Sequence, residues 1–549
     1  MGKVPKVNFK VLLVYPNLSM MMAPPVSYGI FTRLLKNEGY EVDIFDCTPY
    51  IGEGSSVDGT RESVLKVPEA TENSDNIAFQ STTTEEQMIE MMQSRPFSYE
   101  DDLDIKPKYN LFEDFTEKVE SFKADLIIFS IVEDTFHQAL KLVSLVKDKS
   151  VPILHGGVFI TAAPELAMTF PEIKMIGIGE GEQIVLDVAR NVKNNKSCDQ
   201  IPGVWVKKGD GKIIRNKRGP LFDFTTVIPD FSLFDSNRFY RPMGGHVYKS
   251  LPIESYRGCP YTCAYCNSPM QQDLSVESGL GTFIRRNKSM EKLRDYISDV
   301  VVQESPTYFM FVDDSFMARP QDELEDFCRM YEEFKIPFWF NTRPENVSKE
   351  KLRMLKDVNC NRIAFGVECG NEKFRKEVLS RGIKNDMLIK KFEIIAESGI
   401  PFSVNNIIGF PGETRELIFD TIRLIRKIKG YDSLSVTVFV PYNGTGLRKI
   451  CEEQGLVDKD LIIRDMLHTS LNMSQLPAKE INGLVRTFPL YVHFEECEWN
   501  TIRIAEDSEG EEGQRVFKEY SLRYQREHFS GDQDEKMDEF LASSSLLKS

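Results

Sequence analysis

Short apolar runs alternate with amphipathic stretches from the start of the chain. Val11-Leu-Leu-Val-Tyr15 is stopped by Pro16-Asn17 and reads as a buried strand. Residues 27–38 read as a helix closed by Gly39, and Glu41-Val-Asp-Ile-Phe45 as a second strand. Asp125-Leu-Ile-Ile-Phe-Ser130 predicts a third strand, with a helix from Ala139 to Lys147 after it. Val151-Pro-Ile-Leu154 predicts a fourth, ending in Gly156-Gly157 ahead of a helix near 162–170. Lys174-Met-Ile-Gly-Ile178 predicts a fifth, ending in Gly179-Glu180-Gly181-Glu182 ahead of a helix over 182–193. Strands alternating with helices predict an α/β domain with a doubly wound parallel sheet. Ligands of such sheets sit beyond the carboxyl ends of the strands. The glycines fall there, where a bare backbone lets a large ligand approach.

A different pattern follows. Residues 201–250 read as a connector: a hairpin turning at Gly209-Asp-Gly211, then a Pro- and aromatic-rich passage (Phe222, Phe231, Phe234, Tyr240) expected to pack along both neighbours. Alternation then resumes with Leu251–Tyr256. Pro306–Val312 ends in Asp313-Asp314, Pro337–Phe340 in Asn341, and Arg362–Phe365 in Gly366-Val-Glu368. Phe402–Ile408 ends in Gly409, and Ser433–Val440 in Pro441-Tyr442. Six strands with intervening helices predict a partial (β/α)6, TIM-like barrel with its polar residues at the strand C-ends, where barrel active sites lie. Residues 446–528 read as a helical C-terminal domain whose aromatics (Phe488, Tyr491, Trp499) pack its core or line a pocket. Residues 529–549 read as a disordered tail, and about 52–110 as an acidic insertion into the first domain (1–200), either a mobile surface segment or a lid. The barrel is expected over 251–445.

The chain's 549 residues exceed one ordinary core. With 84 acidic against 68 basic residues the net charge is -16, which argues against general nucleic-acid or anionic-membrane binding. No apolar run of about 18 residues predicts a membrane span, and the N-terminal lysines precede no signal-peptide core. Ten cysteines without a disulfide-like framework suit a reducing compartment, so a cytoplasmic location is expected.

Three of those cysteines dominate the chemistry. Arg257-Gly-Cys259-Pro-Tyr-Thr-Cys263-Ala-Tyr265-Cys266-Asn-Ser-Pro269 presents Cys259, Cys263 and Cys266 as C-x3-C-x2-C. Thiolates select iron–sulfur clusters, zinc or copper(I). A structural zinc site is the alternative to a cluster, but it usually wants a second paired hook, and none follows here. Three thiolates can hold three corners of a cubane, leaving one iron open to a substrate. GCPYTCAYCNSP resembles the signature loop of the radical S-adenosylmethionine (SAM) superfamily. That resemblance implies a 4Fe–4S cluster on the three cysteines, cleavage of SAM to a 5'-deoxyadenosyl radical, and an electron donor of flavodoxin or ferredoxin type. It further implies SAM contacts from Tyr265 (through its backbone), Asp313, Asn341, Glu368, Ile408, Gly409 and Pro441. Asp313-Asp314 stand where the family has Gly-Gly-Glu.

In the first domain, Ser130-Ile-Val132, GGVFITAAPE (156–165) and GEGE (179–182) together resemble the Rossmann-like cobalamin-binding domain fused to many radical SAM enzymes. Implied cobalamin contacts are Asn17, Leu18, Ser130, Val132, Gly156, Gly157, Gly179, Glu180 and Gly181. The lower-ligand motif D-x-H-x-x-G is missing, and Asn17 to Tyr28 contains no histidine. His137 and His155 lie near the other loops and are expected to be packing or surface residues rather than ligands. The resemblance, which spans about 8–455, implies a cobalamin-dependent methyltransferase acting on an unactivated carbon of a small-molecule, peptide or lipid substrate. A cyclase or rearrangement enzyme of the same architecture is the alternative. A methylthiotransferase is disfavoured because the first domain lacks three further cysteines, and a non-catalytic metal scaffold is the rival from another class.

Overall fold

The computed structural model of the chain describes residues 9–18, 23–51, 105–243, 246–281 and 285–528. Met20–Met22, most of the acidic insertion and the 529–549 tail lie outside these residues. The first sheet holds β1 (Lys10–Tyr15), β2 (Glu41–Asp46), β3 (Leu126–Ser130), β4 (Ile153–Gly156), β5 (Met175–Gly177), β6 (Val204–Lys207) and β7 (Ile213–Arg215). Its order is β2-β1-β3-β4-β5-β6-β7. β1 to β5 are parallel. Successive strand residues face opposite sides. Accordingly Val11 and Leu13 enter one core, and Leu12 and Val14 the other. Helices Val26–Asn37 and Gly181–Lys193 cover the first face, and Leu111–Phe122 and Phe136–Leu145 the second. The strand order reverses between β1 and β3, which opens a crevice at their carboxyl ends.

Three expectations are corrected here. The hairpin assigned to the connector extends the first sheet instead, with β6 antiparallel to β5 and β7 to β6. Without β6 the short β5 would expose unpaired amides at its edge. The helix expected near 162–170 starts earlier and breaks into Val158–Ala162 and Pro164–Ala167. Gly157, at φ +103, turns the chain directly out of β4. Pro164 has no N–H with which to continue the preceding helix. The strand expected over 251–256 is split, because Asp313 takes the amides of Ser255 (2.8 Å) and Tyr256 (3.1 Å) and draws the chain away.

The ends of the acidic insertion meet, with Ile51 N donating to Lys108 O (2.6 Å) and Lys108 N to Pro49 O (2.7 Å). The segment therefore leaves and re-enters the domain at one place.

The second unit contains β8 (Tyr240–Met243), β9 (His246–Ile253), the ribbon β10 (Tyr256–Arg257) with β11 (Arg286–Asn287), β12 (Tyr308–Phe311), β13 (Phe338–Thr342), β14 (Cys360–Glu368), β15 (Phe402–Ile408) and β16 (Ser433–Val438). Its sheet runs β16-β15-β14-β13-β12-β9-β8. β9 and β12 to β16 are the six expected parallel strands, and β8 pairs antiparallel at one edge. The result is a half-barrel that does not close on itself. Phe231, Phe234 and Phe239 of the connector are buried in a core continuous with residues of both sheets. In the C-terminal region Phe488 and Tyr491 are buried, and Trp499 packs on Phe419 at 5.1 Å. These aromatics build core. No helix among the described residues is long and apolar enough to cross a membrane.

Candidate cofactor sites where the two sheets meet

Gly258, at φ +97, turns β10 into the cysteine loop. The loop is held by backbone and side chains from elsewhere. Ala264 N donates to Leu379 O (3.2 Å), Leu447 N to Ala264 O (2.9 Å), and Gln272 Nε2 to Cys259 O (2.6 Å). Cys259, Cys263 and Cys266 are half-buried free thiols. Burial pushes the Cys259 thiol up to about 12 and raises Cys266. Metal ligation reverses that logic, because a coordinating thiol is deprotonated outright. No three His, Cys, Asp or Glu side chains among the described residues are gathered as a single ion would need. A cubane asks something different, one thiolate at each of three separate irons, and three half-buried thiols on one pinned loop fit that demand.

Beneath the loop lies a charged network that sequence reading missed except for Tyr265 and Glu368. Arg381 donates from Nη1 to Glu368 Oε1 (2.9 Å) and to Tyr265 Oη (3.0 Å), and from Nη2 to Gly366 O (2.8 Å). Tyr265 Oη also donates to Glu368 Oε1 (3.2 Å). Glu368 has φ +68, a strained value for a side-chain-bearing residue. A Cβ on Gly366 would stand 2.2 Å from Glu368 Oε1, so the bare backbone at 366 leaves that carboxylate its place beside Arg381. Arg343 Nη1 lies 3.6 Å from Cys263 Sγ, and its guanidinium stacks 3.9 Å above the Tyr261 ring.

The expected SAM contacts divide. Asp313 turns away from the loop. It is 2% exposed, accepts from Ser255 and Tyr256, and pairs with Arg319 at 3.1 Å. β12 ends at Phe311, and the amides of Ser255 and Tyr256 hold residue 313 inward while residue 314 faces outward. Asp314 is exposed beside the start of the cysteine loop, and its charge acts on Cys259 and Cys266. Asn341 is exposed at the end of β13. Ile408 and Pro441 are buried, and Pro441 O accepts from Arg448 Nη1 (3.1 Å). Gly409, at φ +84, donates its amide to Glu413 Oε2 (2.6 Å), as does Phe410 (3.1 Å). Burial pushes Glu413 up to about 8.

A cavity of about 460 Å³ lies at the carboxyl ends of β3 to β5. Ser130, Gly156, Gly157, Gly179, Glu180 and Gly181 all line it, and Glu254, Arg257 and Gln271 close it from the cysteine-loop side. A Cβ on Gly157 would stand 2.4 Å from Ile131 N and O, and one on Gly181 2.7 Å from Phe31 Cζ. Bare backbone at Gly156, Gly157, Gly179 and Gly181, among apolar side chains such as Phe31 and Ile184, lets part of a large ligand such as a corrin approach closely. Asn17, Leu18 and Val132 are not among its walls. Asn17 is buried, with Nδ2 donating to Thr48 Oγ1 (2.8 Å) and its amide to Gln138 Oε1 (3.0 Å). Val132 is exposed. His155 is buried, with Nδ1 near Met175 O (3.2 Å) and its ring stacked on Phe129. His137 contacts Arg464. Neither is among the cavity's walls.

Residues 253–425 match the radical SAM superfamily, and residues 88–189 the B12 binding domain. An uncharacterized methyltransferase of Pyrococcus horikoshii is 24% identical over 345 residues, covering 61% of this chain and 71% of its own. An anaerobic magnesium-protoporphyrin IX monomethyl ester cyclase of Rubrivivax gelatinosus is 21% identical over 326 residues, or 56% of this chain and 55% of that relative. The solved structure of the cobalamin-dependent S-adenosylmethionine radical enzyme OxsB, with aqua-cobalamin and S-adenosylmethionine bound, aligns with a TM-score of 0.59 at 15% identity. It covers 98% of this chain and 76% of its own. That last likeness is one of fold. A chain with these two domains takes a 4Fe–4S cluster, SAM and cobalamin as cofactors. With the crevice of one matched domain opening onto the cysteine loop of the other, the chain carries a B12-binding domain followed by a radical SAM domain.

Proposed function

We propose that the protein is a cobalamin-dependent radical SAM methyltransferase acting on an unactivated carbon. The observation that carries this is the shared cavity, whose walls come from the glycine loops of the first sheet on one side and from Glu254, Arg257 and Gln271 beside the cysteine loop on the other. When bound, the cluster, SAM and cobalamin supply reductive SAM cleavage to a carbon-centred radical and a transferable methyl group. The chain's part is to hold, orient and exclude water. Cys259, Cys263 and Cys266 hold the cluster. Arg381 and Glu368 fix Tyr265 and with it the loop between the thiols. Asp314, rather than Asp313, offers the acid at the second strand end. Glu413 clamps the Gly409 and Phe410 amides so that the Ile408-Gly409 backbone presents a flat edge to an adenine. Gly156, Gly157, Gly179 and Gly181 admit the corrin.

The substrate class we propose is a small molecule, peptide or lipid, with electrons from a flavodoxin- or ferredoxin-type donor. Ten free cysteines suit the reducing cytoplasm. A cyclase or rearrangement without methyl transfer is the second reading, favoured by the likeness to the Rubrivivax cyclase. The test is anaerobic reconstitution with iron, sulfide and hydroxocobalamin, then dithionite and SAM. Wild type should bind iron and corrin and release 5'-deoxyadenosine, whereas Cys263→Ala should lose the iron chromophore and at least 99% of SAM cleavage, about two decades of rate. An alanine variant with a full chromophore and undiminished cleavage sinks the reading. Once a substrate is found, a mass gain of one CH2 per turnover separates methylation from cyclisation.

A further inference from the structure

Two acidic side chains of the Gly179-Glu-Gly-Glu182 turn leave the first domain and end on the segment that leads into the cysteine loop. Arg257, two residues before Cys259, pairs through Nη1 with Glu182 (2.6 Å) and Glu180 (3.4 Å). Its Nε and Nη2 take both oxygens of Glu254 (2.7 and 3.1 Å). Arg286, directly opposite Arg257 in the β10–β11 ribbon, also pairs with Glu180. The Phe224 ring lies 4.6 Å beneath the Arg257 guanidinium. The pair is withdrawn from water, with side-chain exposures of 16% for Arg257 and 5% for Glu182. Glu180, Glu182, Glu254 and Arg257 are at the same time walls of the glycine-lined cavity. A second clasp closes the other side of the crevice. Glu133, just past Ser130, accepts from Asn443 N (2.9 Å), Asn443 Nδ2 (2.8 Å) and Ile463 N (2.9 Å), and Asp134 accepts from Tyr442 Oη (3.0 Å).

We propose that Arg257 couples the two cofactor sites. Its fork ties the corrin-side turn to the start of the cysteine loop, so that filling either site orders the other. This rests on the cofactor assignment above. A ligand that fixes Gly179–Gly181 fixes Glu180 and Glu182, and through them Arg257, and the shortness of the path from Arg257 to Cys259 leaves little slack. The reverse holds by linkage, so a loaded cysteine loop pre-orders the corrin cradle, and the two affinities must change by the same factor. The Glu133 clasp reaches the cysteine loop only by way of Leu447, whose amide donates to Ala264 O, and neither Glu133 nor Asp134 lines the glycine cavity, so the clasp sets the spacing of the domains and has no corrin-side end.

The experiment titrates hydroxocobalamin into the full chain, with and without a reconstituted cluster, reading bound corrin by absorbance. Wild type should bind at least about fivefold more tightly when the cluster is present, the low end of ordinary coupling. Arg257 also walls the cavity, so Arg257→Gln should weaken corrin binding in both forms, and the readout is the ratio between them, which should fall to about one. Arg257→Lys, which keeps the charge but loses the fork, should keep part of the ratio. Glu182→Gln should erase it from the other side, and the double variant Arg257→Gln/Glu182→Gln should lose nothing more than either single. Glu182→Gln leaves the Arg257–Glu254 pair intact, so it decides the matter should Arg257→Gln fail to fold. Retention of the wild-type ratio in these variants, or a wild type that loads both cofactors with no ratio at all, overturns the coupling and leaves the cofactor assignment standing. A wild type that takes up no corrin overturns both.

Discussion

Arg381→Met is the most telling perturbation of the cysteine-loop support. The guanidinium is 2% exposed and sits 2.9 Å from Glu368 Oε1, whose side chain is 11% exposed. At an effective dielectric of about 20 that separation corresponds to roughly 6 kcal/mol of attraction. Desolvation of both groups offsets much of it. What a single truncation removes is therefore closer to the ~3–5 kcal/mol seen when a buried charge loses its partner. Burial already outweighs the pull of Arg381, so Glu368 titrates above the usual carboxylate range. A carboxyl whose folded-state pKa is raised favours folding in acid and loses that advantage as pH rises through the raised value. Without Arg381 the loss deepens. Thermal melts of the cofactor-free chain should show a fall of about 6–20 °C in Tm at neutral pH. The gap to wild type should narrow toward about pH 5, and adding Glu368→Gln should restore at least half of it. An Arg381→Met protein that melts with wild type, or a double variant no better than the single, would refute the reasoning.

Two further outcomes test the crevice. Gly157→Ala places a Cβ 2.4 Å from Ile131 N and O at a φ of +103. It should lower Tm and weaken hydroxocobalamin binding at least about tenfold, a loss of ~1.4 kcal/mol. Gly156→Ala, whose Cβ would meet nothing closer than 3.8 Å, should melt near wild type, and equal behaviour of the two alanines would contradict the cradle. Burial pushes Asp134 from 3.8 up to about 6, so its ionisation opposes folding increasingly from pH 4 to 6 and fully above. Asp134→Asn keeps an acceptor for Tyr442 and should raise stability in urea by as much as ~3 kcal/mol at about pH 7 with no gain at about pH 4, whereas a uniform loss at both would be the contrary result.

The apolar runs at 11–14, 126–129, 363–365 and 434–436 are buried on both faces, so their existence as strands was legible from the residues alone. The cysteine loop was legible for the same reason, since three ligands within eight residues need no partner from elsewhere to define their chemistry. Which of two adjacent aspartates faces the thiols depends on where β12 ends and how Ser255 and Tyr256 return to it, and no local signal carries that. Nor could the residues alone reveal that Glu182 meets Arg257, or that Arg381 lies under Tyr265, because those pairs are distant in the chain and form only when two sheets dock. The hairpin after Ile201 carried its own turn but not its destination, which was set by the open edge of β5. Local sterics and burial determine which elements form, and long-range hydrogen bonding and charge pairing, available only in the assembled fold, decide which side chains meet at the site.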